Sequence, residues 1–256
     1  MSDLLWYQYI FIGLTFIWSG FVRSGLGFGG AVLALPFLLL VIDQPLIFLP
    51  IIAVQLIIFS SWIMLTNYRT RLRQSVSVAG IDWTYLRHIM LIMIVPKLVG
   101  VIGLITLPGK IMSILIFAIV LAYAVSYIIN RPIPQQNKKI EYGMLALGGY
   151  VSGTSLSGAP LIVPVVAANV RREALRDTLF VLWFTLTVIK LLSFIVAGVD
   201  LQLIHHLWLL PCALIGHNIG QRFHQRLIVA ESSTFFRLMG MALLVVSLLG
   251  LFKTML

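Results

Sequence analysis

Charge is what this sequence lacks most. Only 10% of its 256 residues are charged, whereas soluble domains carry about 25%. Hydrophobic residues make up 60% of the chain, and its mean hydropathy is +1.04. So few charged side chains are too few to cover a soluble core of this size. The composition therefore predicts an integral membrane protein.

Cysteines and carboxylates are also scarce. The single cysteine, Cys212, permits neither an internal disulfide nor a cysteine metal cluster. All eight Asp and Glu residues fall in loops or at the ends of apolar segments, so the carboxylate sites typical of cation transporters are missing. There is also no P-loop and no nucleophile–base pair. These absences argue against an enzyme and an ATP-driven pump, and we predict no cofactor and no metal.

The apolar sequence divides into ten segments, separated by charges, prolines and glycines. They are 4–22, 28–42, 45–66, 85–107, 111–129, 141–152, 157–169, 178–198, 203–221 and 233–252. Some are shorter than the roughly 20 residues that a membrane span needs. Those beside the two Gly-rich stretches are predicted to be half-helices or re-entrant arms, so the predicted fold is all-α with eight to ten hydrophobic helices.

Most basic residues follow the odd-numbered segments, and few follow the even-numbered ones. Basic loops stay on the cytoplasmic side of a membrane. We therefore predict that these loops are cytoplasmic and that both termini lie outside. The basic residues behind the formal net charge of +10 lie mainly in these loops. The charge is therefore explained by membrane orientation, and no nucleic-acid partner is predicted.

A Gly-rich stretch occurs twice. SGLGFGGAVLALP at 24–36 returns 128 residues later as SGTSLSGAPLIVP at 152–164. The identities include Ser24 with Ser152, Gly25 with Gly153, Gly30 with Gly158 and Pro36 with Pro164. Each half holds five segments, an odd number, so the second half is predicted to be inverted. The predicted halves are 1–130 and 141–256, joined by a basic cytoplasmic linker at 131–140.

Inverted repeats with interrupted helices at matching places are typical of secondary transporters, which bind substrate near the membrane midplane where the breaks meet. Glycine lets the chain leave helical geometry, and proline six residues later ends or bends the short arm. Free amides at the start of a half-helix favour an anion. The alternative is that the glycines serve only close helix packing.

The same residues resemble a known family. A G-x-G-G-small motif, a later proline, a basic loop, Asp82-Trp83 and a helix with proline and glycines, repeated once, resemble the TauE/SafE-like sulfite exporters over essentially the whole chain. The resemblance implies a bacterial inner-membrane protein that moves small anions such as sulfite or organosulfonates. The chain departs from the motif at Ala31, Ser155 and Ser157, where the family has glycine, so the substrate stays open.

Two groups of residues are candidates for the site. The predicted substrate-binding residues are Arg23, Ser24, Gly25, Gly27, Gly29, Gly30, Lys97, Ser152, Gly153, Ser155, Ser157 and Gly158. A polar or proton path is predicted at Gln55, Lys190, His217 and Asn218. Arginine and lysine suit an oxyanion. Their alternative roles are those of a membrane anchor for Arg23 and a snorkelling side chain for Lys97.

Polar side chains on segments 3 and 8 are further candidates for the path. Gln55 and Trp183, with Thr185 and Thr187, lie on these corresponding segments, although Thr hydroxyls commonly bond back to their own helix. For His217 and Asn218 the alternative is an ordinary interhelical hydrogen bond.

The function predicted from these features is export of small anions by a secondary transporter with alternating access. An anion channel and a membrane subunit of a larger complex are the alternatives. The predicted partners are the lipid bilayer and a small anion, and the sequence does not indicate an oligomeric state.

Overall fold

The structure is a computed structural model that describes residues 4–26, 30–74, 80–129, 137–229 and 233–255. Within these ranges it contains ten α-helices, one for each predicted segment. They are α1 Trp6–Leu26, α2 Gly30–Val41, α3 Pro45–Gln74, α4 Trp83–Thr106, α5 Gly109–Ile129, α6 Lys138–Ser155, α7 Ala159–Asn169, α8 Arg172–Val196, α9 His206–Val229 and α10 Ser233–Met255. A 3₁₀ turn, Leu203–His205, precedes α9.

Several helices are longer than their apolar segments. α3 continues to Gln74 and α9 to Val229, while α8 begins at Arg172. Their basic ends therefore lie on helical extensions, because arginine is a good helix former even where the apolar pattern has stopped. Pro36 and Pro164 lie inside α2 and α7, and neither proline ends its helix.

The exterior of the protein suits a lipid environment. Four helical stretches are long and apolar enough to cross a membrane: Pro45–Thr66, Trp83–Thr106, Gly109–Ile129 and Arg172–Val196. Large apolar side chains point outward, among them Leu91, Val196 and Leu207, which are at least 76% exposed. A surface of this kind is costly in water and favourable in a bilayer. The protein is an all-helical membrane protein.

The chain forms two compact units, and each takes helices from both of the predicted repeat halves. Unit 1 comprises Met1–Ile51, Thr106–Ile133 and Gln202–Leu256, and so holds α1, α2, α5, α9 and α10. Unit 2 comprises Ile52–Ile105 and Pro134–Leu201, and so holds most of α3 together with α4, α6, α7 and α8.

In unit 1, glycines let α1 and α9 approach each other closely. A Cβ atom at Gly216 would collide with the carbonyl oxygen of Ile17, and one at Gly20 with that of Ala213. Gly30, at the start of α2, faces α1 in the same way, since its Cβ would lie 2.8 Å from the Ser19 oxygen. These glycines replace side-chain packing with backbone contact.

Unit 2 uses the same device between α4 and α6. A Cβ atom at Gly149 would lie 2.7 Å from the Met93 oxygen, and one at Gly153 would collide with the Lys97 oxygen. Gly158 lies against the Gly148 oxygen of α6. A hydrophobic core drawn from α4, α6, α7 and α8 surrounds this crossing; it includes Ile89, Met93, Leu145, Ile162 and Leu182.

Candidate functional site

The second Gly-rich stretch contains the predicted break. α6 ends at Ser155, and α7 begins at Ala159. Leu156 turns the chain in the left-handed conformation, with φ of 58°, and its N–H donates to the Ser152 oxygen over 3.3 Å. No side chain caps the start of α7, and Pro160 brings no N–H there. The break thus leaves an uncapped helix start, which carries partial positive charge.

Two buried lysines hold the end of α6. Lys97 on α4 donates from Nζ to the Ser152 hydroxyl over 3.0 Å and to the Ser152 carbonyl over 3.4 Å. Lys190 on α8 donates to the carbonyls of Gly153, over 2.7 Å, and Thr154, over 3.2 Å. Both lysines are 0% exposed. Two lysine side chains therefore meet on consecutive residues of one helix end.

The surroundings of the two ammonium groups are rich in oxygen acceptors but not in charge. Among the described residues, their hydrogen bonds go to carbonyls and one hydroxyl, with no carboxylate. The Phe194 ring lies 5.5 Å from Lys190 Nζ and adds a cation–π contact. Each ammonium carries three donors and uses two of them here. A buried charge without a counter-charge is costly, so this cluster is suited to an anion.

The first Gly-rich stretch lies in unit 1. α1 ends at Leu26 and α2 begins at Gly30, and the predicted site residues Gly27 and Gly29 lie outside the described residues. Ser24, near the end of α1, shares a hydrogen bond with Nδ1 of His217 on α9. Both side chains are at most 1% exposed.

Arg23 and Gly25, the neighbours of Ser24 in α1, are buried as well. Ser19 donates to the Gly30 carbonyl over 3.1 Å, which ties α1 to the start of α2. The first Gly-rich stretch thus has a buried basic side chain beside a serine, as the second stretch does.

Other predicted site residues have structural partners. Three of the predicted glycines lie at close helix contacts: Gly30, Gly153 and Gly158. The alternative role in helix packing therefore applies to them, and their role in substrate binding remains a prediction. Ser155 bonds back to the Val151 oxygen, and Ser157 bonds to the Ser155 oxygen, each over 3.1 Å.

The predicted polar path divides into buried and exposed members. His217 is buried, whereas its neighbour Asn218 is exposed, so the two do not act on one face of α9. Thr185 and Thr187 bond back to the oxygens of Val181 and Trp183. Gln55 is 2% exposed.

Phe194 is a neighbour of the candidate site that the sequence did not predict. It follows Lys190 by four residues, so both side chains share one face of α8. An aromatic residue at this spacing from a lysine deep in an apolar segment is a signal available in the sequence. Without the helix register, Phe194 cannot be distinguished from an ordinary core phenylalanine.

Comparison with known proteins identifies the family of the chain but does not bear on the individual site residues. The family model described as "Sulfite exporter TauE/SafE" matches residues 12–251, nearly the whole chain. This is a family of transporters and not of enzymes. No curated protein and no solved structure matches the chain significantly.

Proposed function

Because the chain belongs to the TauE/SafE sulfite exporter family, we propose that it is a secondary transporter that exports small oxyanions, sulfite or organosulfonates, by alternating access. The observation that carries the proposal is the pair of fully buried lysines at the end of α6. Lys97 and Lys190 provide positive charge without a neighbouring carboxylate among the described residues. An anion bound there would supply the missing counter-charge.

Binding at this cluster uses donors that are already in place. Each ammonium retains one donor, and the uncapped start of α7 favours negative charge. In unit 1, Arg23 and Ser24 at the first break have the residue types for the same task. The arginine fork suits two oxygens of one anion.

The inverted repeat is part of the proposal. In each repeat the first helix crosses the fourth helix of the other repeat, α1 with α9 and α6 with α4, and glycines line both crossings. This correspondence supports two copies of one design. Inverted copies give a carrier two equivalent states that open to opposite sides, which is the basis of alternating access.

We place the protein in the bacterial inner membrane, with its basic helix ends cytoplasmic and both termini outside. A negative interior then assists export by about 2.3 kcal/mol per charge for each 100 mV. The single cysteine allows a direct test. In a Cys212→Ser background, an impermeant maleimide added to intact cells should label Lys110→Cys and spare Arg222→Cys. The reverse pattern would overturn this orientation.

The function is tested in liposomes by uptake of labelled sulfite, competed by sulfate, thiosulfate, sulfoacetate, acetate and chloride. We expect saturable flux that falls at least about tenfold in Lys97→Gln and in Lys190→Gln, as expected for lost hydrogen bonds to a charged group. Lys110→Gln, which changes an exposed lysine at the start of α5, is the matched control.

Three results would change the proposal. Absence of anion flux from folded and inserted protein would overturn it. Flux that does not saturate would show a channel. Full flux in both lysine variants would remove the cluster from the site while leaving the transporter.

A further inference from the structure

Two buried N–H groups on α3 and α8 have no acceptor among the described residues. They are Nε2 of Gln55 and Nε1 of Trp183. Both lie in unit 2. A buried donor without an acceptor is rare in proteins and costs free energy, and lipid supplies no water to satisfy it. Such donors in a transporter call for a ligand that accepts hydrogen bonds.

These two residues occupy equivalent positions in the repeat. The offset of 128 residues that aligns Ser24 with Ser152 also aligns Gln55 with Trp183. The ends of the helices that lie between each Gly-rich stretch and these residues fit the same offset. It places the end of α2, Val41, on the end of α7, Asn169, and the start of α3 within one residue of the start of α8.

Gln55 is buried as a whole, whereas Trp183 is partly buried and packs against the hydrophobic core of unit 2 with its Nε1 atom buried. Gln55 lies between Ile52 and Phe59 on α3, and all three are at most 3% exposed. On α8, Lys190 follows Trp183 by seven residues, two turns along the same face. Helical side chains lean toward the N-terminus of their helix, so Lys190 extends in the direction of Trp183.

We propose that Gln55 and Trp183 are a pair of uncharged N–H donors that bind the oxygens of the transported anion and select oxyanions over halides. The proposal rests on the proposed function, since it assigns two more residues to anion binding. The indole N–H is a donor only, so it cannot be satisfied by a cation. Lysines attract any anion, whereas directional N–H donors favour an anion with oxygen lone pairs in fixed positions.

The test compares Gln55→Met and Trp183→Phe, which keep side-chain bulk and remove the donor, with the wild-type protein in sulfite-loaded liposomes. Each variant should raise the KM for sulfite about tenfold and leave the KM for chloride within about twofold, so that oxyanion selectivity falls. Matched controls are Gln44→Met and Trp62→Phe, the same changes at exposed positions of the chain, which should leave both constants unchanged.

A second measurement does not depend on flux. In protein labelled with ¹⁵N-tryptophan, the indole N–H resonance that disappears in Trp183→Phe should move downfield when sulfite is added and stay in place when the same concentration of chloride is added. Unaltered selectivity in both variants, or an unmoved Trp183 resonance in protein that transports sulfite, would overturn the proposal. In either case the transporter function would stand, because sulfite flux is measured in the same samples.

Discussion

The helix crossing of unit 1 and that of unit 2 share a backbone design but hold different side chains. In unit 1, α1 meets α9 through Gly20 and Gly216; in unit 2, α6 meets α4 through Gly149 and Gly153. A serine near each break bonds to the partner helix, Ser24 to His217 and Ser152 to Lys97.

The difference lies in the charge that each serine contacts. Ser152 accepts from an ammonium group, and Lys190 adds a second one on the next carbonyl. Ser24 bonds instead to an imidazole ring. Each Gly-rich stretch thus has a buried serine that bonds to another helix, while the residue type of its partner decides whether the serine contacts a lysine or a histidine. The following predictions test this distinction, from the largest expected effect to the smallest.

The crossings should be equally intolerant of added volume. Gly153→Ala and Gly216→Ala each place a methyl group against a backbone oxygen, which cannot move without separating two helices. We expect each to lower the free energy of unfolding by about 3 kcal/mol, measured by thermal unfolding in detergent. The control is Gly143→Ala on α6, where nothing lies within 4 Å and helix propensity predicts a gain below about 1 kcal/mol. Equal melting of all three variants would contradict the comparison.

Sulfite transport should depend more on Lys97 in unit 2 than on His217 in unit 1. Lys97→Gln should lower kcat/KM for sulfite at least about tenfold, because it removes a charged donor. His217→Gln should change it less than about threefold, because glutamine keeps a hydrogen bond to Ser24 and no charge is lost. The measurement is initial sulfite flux in liposomes over a range of concentrations. An equal loss in both variants would show that the unit 1 crossing carries as much of the binding as unit 2.

The two serines should contribute unequally to stability. Ser152→Ala leaves a buried ammonium with one acceptor fewer and should cost about 2 kcal/mol, whereas Ser24→Ala should cost about 1 kcal/mol. Thermal unfolding of both variants measures the difference. Ser193→Ala serves as control, since that hydroxyl only bonds back to Ile189 of its own helix. A larger loss for Ser24→Ala would reverse the assignment of charge to unit 2.

A glycine outside the crossings should respond to backbone conformation alone. Gly198 has φ of +68° and open space around it. Gly198→Ala should cost about 1 kcal/mol through the left-handed conformation, and Gly198→Asn should cost less because asparagine tolerates it. Thermal unfolding again measures both. Equal costs would show that the effect at Gly198 comes from contacts.

The sequence predicted the number and order of the helices because apolar runs and their Gly and Pro boundaries are local signals. Each of the ten predicted segments has its helix, with ends shifted by a few residues. The shifts are largest where a helix continues past the apolar run, as α3 does to Gln74. Hydrophobicity marks the part of a helix that suits lipid, while hydrogen bonding sets its full length.

The side chains that meet at the end of α6 were predicted in part. Lys97 and Ser152 came from the burial of charge and from the repeat, and the structure brings these two together. The meeting of Lys190 with α6 was not predictable, because it depends on how α8 packs against a helix 36 residues earlier in the chain. The repeat also did not distinguish a packing glycine from a binding one, since both require a missing side chain at the same place.

The lysine bonds to the end of α6 have a consequence for the affinity of the proposed site for an anion. An arriving anion does not meet bare ammonium groups; it meets groups whose donors already serve Ser152 and Gly153. Each lysine has one spare donor, and any other donor that turns to the anion gives up its acceptor on α6, so part of the attraction is an exchange of one hydrogen bond for another. If the proposed function holds, this exchange lowers the affinity for the anion and so speeds its release. An exporter gains from this balance, because a cargo bound too strongly would leave the cell only as fast as it dissociates.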